Sequence, residues 1–172
     1  TLTVSSAASD VYKRQVFLGG GPPVVGGGQT ITIDCPNINP DFDMHISGLA
    51  TIHLTAVPTF DGGQVFVEMQ DAQTGMRVGH ATMDVRYHAG GSEPQTVTPG
   101  DAVTMMMEFQ AIDAIIPAGN GLRFFLTDTG EDYLAPACGT ACVLHVLPSM
   151  STFEAPLIER DGSNTLIVPM YQ

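Results

Sequence analysis

Residues 45–57 read His-Ile-Ser-Gly-Leu-Ala-Thr-Ile-His-Leu-Thr-Ala-Val. Ile46, Gly48, Ala50, Ile52 and Leu54 fall on one side of an extended chain. Ser47, Leu49, Thr51, His53 and Thr55 fall on the other. A period of two is the signature of a strand with one buried face. A helix would need an apolar face at 3.6-residue spacing over three turns, and no segment of the chain keeps one. This stretch sets the fold class as all-β.

The same period recurs on both sides of it. Thr30–Asp34 turns Ile31 and Ile33 to one face. Gln64–Gln70 groups Val65, Val67 and Met69. Arg77–Tyr87 follows, and Ala102–Gln110 puts Val103, Met105, Met107 and Phe109 in register. Leu122–Thr127 groups Leu122, Phe124 and Leu126, and Cys142–Leu147 and Thr165–Val168 complete the set. Turn chemistry separates the runs: Asp61-Gly62-Gly63, Thr74-Gly75, Gly90-Gly91, Pro99-Gly100, Gly119-Asn120-Gly121 and Thr129-Gly130. About eight short strands predict an antiparallel β-sandwich with jelly-roll connectivity over residues 30–172.

Two segments lie outside that unit. Residues 16–29 hold Gly19-Gly20-Gly21 and Gly26-Gly27-Gly28 around a Pro22-Pro23 pair, and read as a flexible linker. No Gly-Lys-Ser/Thr follows, so this is not a phosphate-binding loop. Residues 1–15, TLTVSSAASDVYKRQ, contain the single lysine, Lys13, and no core-like pattern. They resemble a translated sequencing-adapter peptide, with an ordinary N-terminal extension as the competing reading. Either way they are set apart from the fold.

Composition narrows the function. The 172 residues carry 6 basic and 18 acidic side chains, a net charge of −12. Nucleic-acid binding and attraction to an anionic membrane both need clustered Lys and Arg, so neither is expected. No apolar run reaches the ~18 residues of a membrane helix, so no membrane insertion is expected. No basic segment followed by an apolar one opens the chain, so no signal peptide is visible.

No catalytic set emerges. There is no Gly-x-Ser-x-Gly elbow, and Ser47-Gly48, Gly91-Ser92 and Gly162-Ser163 read as turn or strand pairs. His88-Ala89-Gly90-Gly91 reads as a hairpin turn rather than an oxyanion loop. His45, His53, His80, His88 and His145 show neither His-x-His nor His-x-x-x-His spacing. His45 and His53 are about 26 Å apart on an extended strand and cannot share a metal directly without a sharp bend. Asp41, Asp43 and their neighbours form the best calcium-like cluster, and Asp128, Glu131 and Asp132 a second. Both read as solvated acidic turns. We therefore expect no catalytic, cofactor-binding or metal-ligating residues and no cofactor.

Three features remain. Cys138 and Cys142 flank Gly139 and can close a small disulfide loop, leaving Cys35 alone; spacing leaves bridge and free thiols both open. A bridge would favour an oxidising compartment. Met105 and Met107 are expected inside and Met106 outside, toward an interface. Tyr87 and Tyr133 could serve as platforms for a sugar ring, although the chain has no Trp.

The segments also resemble, in order, the C-terminal β-sandwich domain of the X-Pro dipeptidyl-peptidase and cocaine-esterase-like serine hydrolases. His45–Ala56 is similar to the family's strand that leaves a Gly and enters the sandwich. Gln64–Asp71 is similar to its central strand ending in Asp, with Met69 where Leu is usual. Gly79–Gly91 and Thr98–Ala111 are similar to the strands that follow. Pro117–Phe124 resembles the family's Pro-x-Gly-His element, with Asn120 in place of His. Leu166–Pro169 resembles its closing strand. The resemblance implies a galactose-binding-like jelly roll without catalytic residues. Its partner would be an upstream α/β-hydrolase domain of the same chain, which carries the nucleophile. The sandwich would dock on that domain and limit access to its site. The expected docking residues are Met106, Leu49 and Phe125. A free-standing module binding carbohydrate or another ligand is the alternative.

Overall fold

The computed structural model describes residues 23–35, 42–130, 133–134, 136–158 and 164–170. Expectations that fall on residues 1–22, Asp41, Glu131 and Asp132 lie outside them.

Two antiparallel sheets pack face to face. The narrow sheet joins β2 (Ile31–Cys35), β9 (Leu122–Thr127), β5 (Gln64–Asp71) and β6 (Arg77–Asp84) in that order. The wide sheet contains β1 (Val24–Val25), β3 (Met44–Gly48), β4 (Thr51–Pro58), β7 (Val103–Glu108), β8 (Ile112–Ile116), β10 (Leu144–Val146), β11 (Thr152–Ile158) and β12 (Asn164–Pro169).

Register reduces these eight segments to four positions across. Ala56 pairs with both Val103 and Val146, so β7 and β10 lie on opposite edges of β4. Ile46 pairs with both Ala114 and Leu157, so β8 and β11 flank β3 in the same way. Thr152 of β11 pairs with His53 of β4, and Leu157 of β11 with Ile46 of β3. The sheet therefore runs β8 and β7, then β3 and β4, then β11 and β10, then β12 and β1.

The core fills the space between the sheets as alternation demands. Ile46, Ile52, Leu54, Met105, Met107 and Phe153 point inward from the wide sheet, and Val65, Val67, Met69, Leu122, Phe124 and Leu126 from the narrow one. Phe153 meets Phe124 across the layers at 5.0 Å between ring centroids, and Phe109 edge-on at 5.7 Å. Burial of this kind is the main driving force for such a sandwich. Thr55 is the one side chain on the outward side of β4 that is fully covered. Its hydroxyl donates to the Met150 carbonyl and meets Thr104 Oγ1, while its N–H bonds Ser151 Oγ. Every polar group it buries is thereby satisfied.

The structure departs from the sequence expectations at identifiable places. The single strand expected over His45–Val57 is two strands with a break at Leu49-Ala50. Gly48 adopts φ +126°, and a Cβ there would sit 3.0 Å from Cγ of Pro156 on β11. Pro156 has no N–H to give the ladder, and the neighbouring strand kinks beside it. The strand expected to reach Tyr87 stops at Asp84, whose side chain accepts from the Arg86 N–H and opens a 3-10 turn over Val85–Tyr87. His88-Ala89-Gly90-Gly91 is therefore no hairpin: it begins a long crossing from β6 in the narrow sheet to β7 in the wide one.

Three strands went unpredicted. Ile112–Ile116 is short, with Ala114 weakening its alternation, and Thr152–Ile158 contains Pro156. Val24–Val25 falls within the expected linker, yet it pairs with β10 and Val25 is fully buried. Gly26, at φ +102°, makes this possible: a Cβ there would lie 2.2 Å from the Cys142 carbonyl oxygen. Only glycine lets the chain pass so close.

Candidate functional site

The segments Gln64–Asp71 and Pro117–Phe124 meet at one buried carboxylate. Asp71, 1% exposed, ends β5. Its Oδ1 accepts from the N–H groups of Gln73 and Thr74, at 2.9 and 3.0 Å. Its Oδ2 accepts from Nδ2 of Asn120 at 2.8 Å. Gln73 Oε1 in turn accepts from the Gly121 N–H at 2.7 Å, and the Ala72 N–H donates to the Gly121 carbonyl. The β5–β6 turn and the β8–β9 connection are thus fastened together. Burial pushes the Asp71 carboxyl up, but hydrogen bonds from Asn120, Thr74 and Gln73 outweigh it and hold the group below the ordinary carboxylate value. This is a structural latch, because every oxygen lone pair aimed at a donor is engaged within the fold.

Several of the acidic and histidine candidates have local partners, whereas His145 Nδ1 is buried without one. Asp43 accepts from the Ala118 N–H at 2.9 Å, fixing the turn before β9. The main chain of Asp128 accepts from Gln64 Nε2. His45 Nε2 lies 2.6 Å from Asp113 Oδ1 on the adjacent strand. His53 points outward, between Met106 and Thr152. The Nδ1–H of His88 donates to the Val85 carbonyl. Among the described residues, no three His, Cys, Asp or Glu side chains converge on a metal position.

Cys138 and Cys142 are joined as a disulfide with Cα atoms 5.7 Å apart, within the usual span of such a bridge. Cys35 is a buried thiol facing the core. Burial, with the Asp34 charge adding to it, pushes this thiol up to about 12, so it stays protonated and unreactive at neutral pH.

The outer face of the narrow sheet bears a groove of about 450 Å³ lined by Phe66, Phe125, Glu68, Gln70 and Arg77 together with threonines. The Tyr133 ring lies 5.5 Å from that of Phe66 and 6.1 Å from His80. Tyr133 therefore packs on neighbouring rings rather than standing out as a bare platform. Sequence reasoning passed over this groove, although the signal was present: Phe66, Glu68 and Gln70 alternate on the outward side of β5. Charges here are paired within the face. Arg123 grips Asp34 through two nitrogens, Arg77 reaches Glu68 at 2.7 Å, and Arg86 reaches Asp84 at 2.6 Å.

The expected docking residues separate. Met106 projects outward from the wide sheet, and Leu49 lies on the same side, since Ala50 beside it is buried. Phe125 projects from the opposite side of the sandwich, half-buried in the groove. One flat partner surface cannot cover all three. No helix among the described residues is long and apolar enough to cross a membrane.

Fold and surface together define an all-β module of two packed antiparallel sheets. A family model described as the X-Pro dipeptidyl-peptidase C-terminal non-catalytic domain matches residues 41–137, and the chain belongs to that family. A comparison with curated proteins gives no match. Among solved structures, an aminopeptidase from a marine sediment Thaumarchaeota archaeon superposes with a TM-score of 0.57 at 9% identity, over 80% of this chain and 28% of its own. A CocE/NonD family hydrolase from Staphylococcus aureus gives 0.55 at 9% identity, over 78% of this chain and 32% of its own. An alpha-amino acid ester hydrolase gives 0.52 at 14% identity, over 92% of this chain and 27% of its own. The chain thus spans less than a third of the length of each of these solved relatives.

Proposed function

We propose that this domain is the C-terminal, non-catalytic part of a serine hydrolase that cleaves an X-Pro dipeptide, an ester or an amide. Its α/β-hydrolase domain would lie upstream in the same polypeptide. The sandwich would pack on that domain and shape the route to its active site. The observation that supports this reading is the family match over residues 41–137 in a chain that corresponds to about a third or less of each solved relative. The jelly-roll connectivity belongs to the same proposal.

The test starts from the coding DNA upstream of residue 16. An in-frame strand–Gly-x-Ser-x-Gly–helix pattern is expected within roughly 300 residues, the length such a domain needs. The protein expressed from that longer frame should hydrolyse X-Pro anilides or α-amino esters, and the 172-residue chain by itself should not. Absence of the motif, or turnover by the short chain, would overturn the proposal.

The groove on the narrow sheet favours one second reading, a free-standing ligand-binding module. Calorimetric titration with oligosaccharides distinguishes the two, because only the module reading expects saturable heat that Phe125→Ala removes.

A further inference from the structure

We infer that Asn120-Gly121, in the connection between β8 and β9, is a conditional deamidation site: its contacts with the β5–β6 turn hold it unreactive, and it reacts when they open. The chain has four asparagines, Asn37, Asn39, Asn120 and Asn164, and Asn120 alone is followed by glycine. Asparagine is a thermolabile residue. Its side-chain amide is open to attack by the main-chain nitrogen of the next residue. Glycine hinders that attack least, because it has no Cβ and the widest choice of backbone angles. The Gly121 nitrogen gives its proton to water and bonds to Asn120 Cγ. The Cγ–Nδ2 bond breaks and Nδ2 leaves as ammonia, which closes a cyclic imide. Water then opens one of the two ring carbonyls. One opening leaves an aspartate side chain at this position. The other leaves an isoaspartate, whose main chain is one carbon longer.

In the fold, both reacting nitrogens are occupied. Gly121 is buried, and its N–H donates to Gln73 Oε1 at 2.7 Å. The leaving group, Nδ2 of Asn120, donates to Asp71 Oδ2 at 2.8 Å. The main chain on either side is fixed as well. The Asn120 N–H donates to the Pro117 carbonyl at 3.0 Å, and the Gly121 carbonyl accepts from the Ala72 N–H at 2.9 Å. Ring closure requires the Asn120 side chain to leave Asp71 and the Gly121 nitrogen to leave Gln73. Both bonds break together only when the two connections part, a local opening that is sparsely populated in the native state.

The product cannot rebuild the latch. A carboxylate at position 120 is an acceptor where Nδ2 was a donor, and it meets Asp71 at hydrogen-bond distance. Two carboxylates that close cannot both ionise without cost. The isoaspartate form also lengthens the chain between β8 and β9 and draws the Gly121 carbonyl away from Ala72. A transient opening of the β5–β6 turn is thereby made permanent, and the modified fraction records how long the turn has stood open.

The experiment incubates the 172-residue chain, folded and in denaturant, in the same mildly alkaline buffer. Mass spectrometry of the peptide containing Asn120 then reads conversion of amide to acid. We expect conversion to be several-fold slower in the folded chain, with the Gly121 amide protected from hydrogen exchange. Gln73 is exposed, so Gln73→Ala removes the acceptor of the Gly121 N–H with little cost to the core. In the folded variant it should speed both deamidation and Gly121 exchange several-fold. Gln73→Glu keeps an acceptor oxygen and should stay near the wild-type rate. Asn120→Asp, which copies one product, should melt below the wild type. Equal rates in folded and denatured wild type, or an unprotected Gly121 amide, would overturn the inference. So would a folded Gln73→Ala variant that deamidates no faster than wild type, or a Gln73→Glu variant that speeds up equally. Circular dichroism reports whether each variant is folded, and the wild-type comparison decides even if Gln73→Ala is not.

Discussion

At Asp71, one carboxylate shows how a single side chain fixes two connections. Its three hydrogen bonds come from the Gln73 and Thr74 N–H groups of one connection and the Asn120 side chain of another. Asp71→Ala should cost about 2–3 kcal/mol, the scale for lost bonds to a buried charge, read as a shift in denaturation midpoint. The sign with pH follows from the depressed native value. The stabilisation is complete above the unfolded carboxylate value of 3.8 and fades as pH falls below it toward the native value. Stability measured in that acid window should fall less steeply in Asp71→Asn, which keeps the turn bonds without a titrating group. Both Asp71 and Asn120 were visible in the sequence as parts of separate segments. Their contact was not, because 49 residues separate them and only the folded sandwich brings them together. Inward and outward assignment was legible one residue at a time: Met105 and Met107 are buried and Met106 is exposed.

Elements with clean alternation were legible and those with interruptions were not. β5, β7 and β9 follow the period of two and appear close to their expected bounds. β11 was hidden by Pro156, since a proline argues against an interior strand unless a neighbour yields to it. Here the neighbour does, at Gly48. β1 was hidden by its glycines, which read as linker until the proximity of Gly26 to Cys142 is seen. Gly26→Ala should therefore cost about 2 kcal/mol or more, combining the close contact with an unfavourable φ. Hydrogen exchange should show that loss first at the Val146 amide, which bonds the Pro23 carbonyl. The Cys138–Cys142 bridge was left open by spacing and is present in the structure. Closing so short a loop limits the unfolded chain modestly, and Cys138→Ser should cost about 2 kcal/mol by denaturation.

For the molecule as a whole, charge is the dominant uncompensated quantity. At −12 over 172 residues, with the described arginines each paired locally, the remaining carboxylates repel one another across the surface. Monovalent salt shortens the range of that repulsion to about 3 Å at 1 M. The melting temperature should accordingly rise between low and molar sodium chloride, as followed by calorimetry, rather than fall as it would for a fold held by surface ion pairs. The class of fold and its charge were both legible from composition and period. The split of the docking residues between two opposite faces was not, since strand parity places a residue inside or outside but does not say which sheet it belongs to. The two-residue strand β1 also has a mechanical consequence. Tension transmitted along the backbone from the N-terminal side arrives at Val24–Val25, where pairing with β10 and the buried Val25 side chain hold the chain. That load would peel the few β1–β10 hydrogen bonds one after another, as a zipper opens, before the longer strand pairs behind them give way. The short edge strand is thus a fuse, able to yield and re-form without the sandwich coming apart.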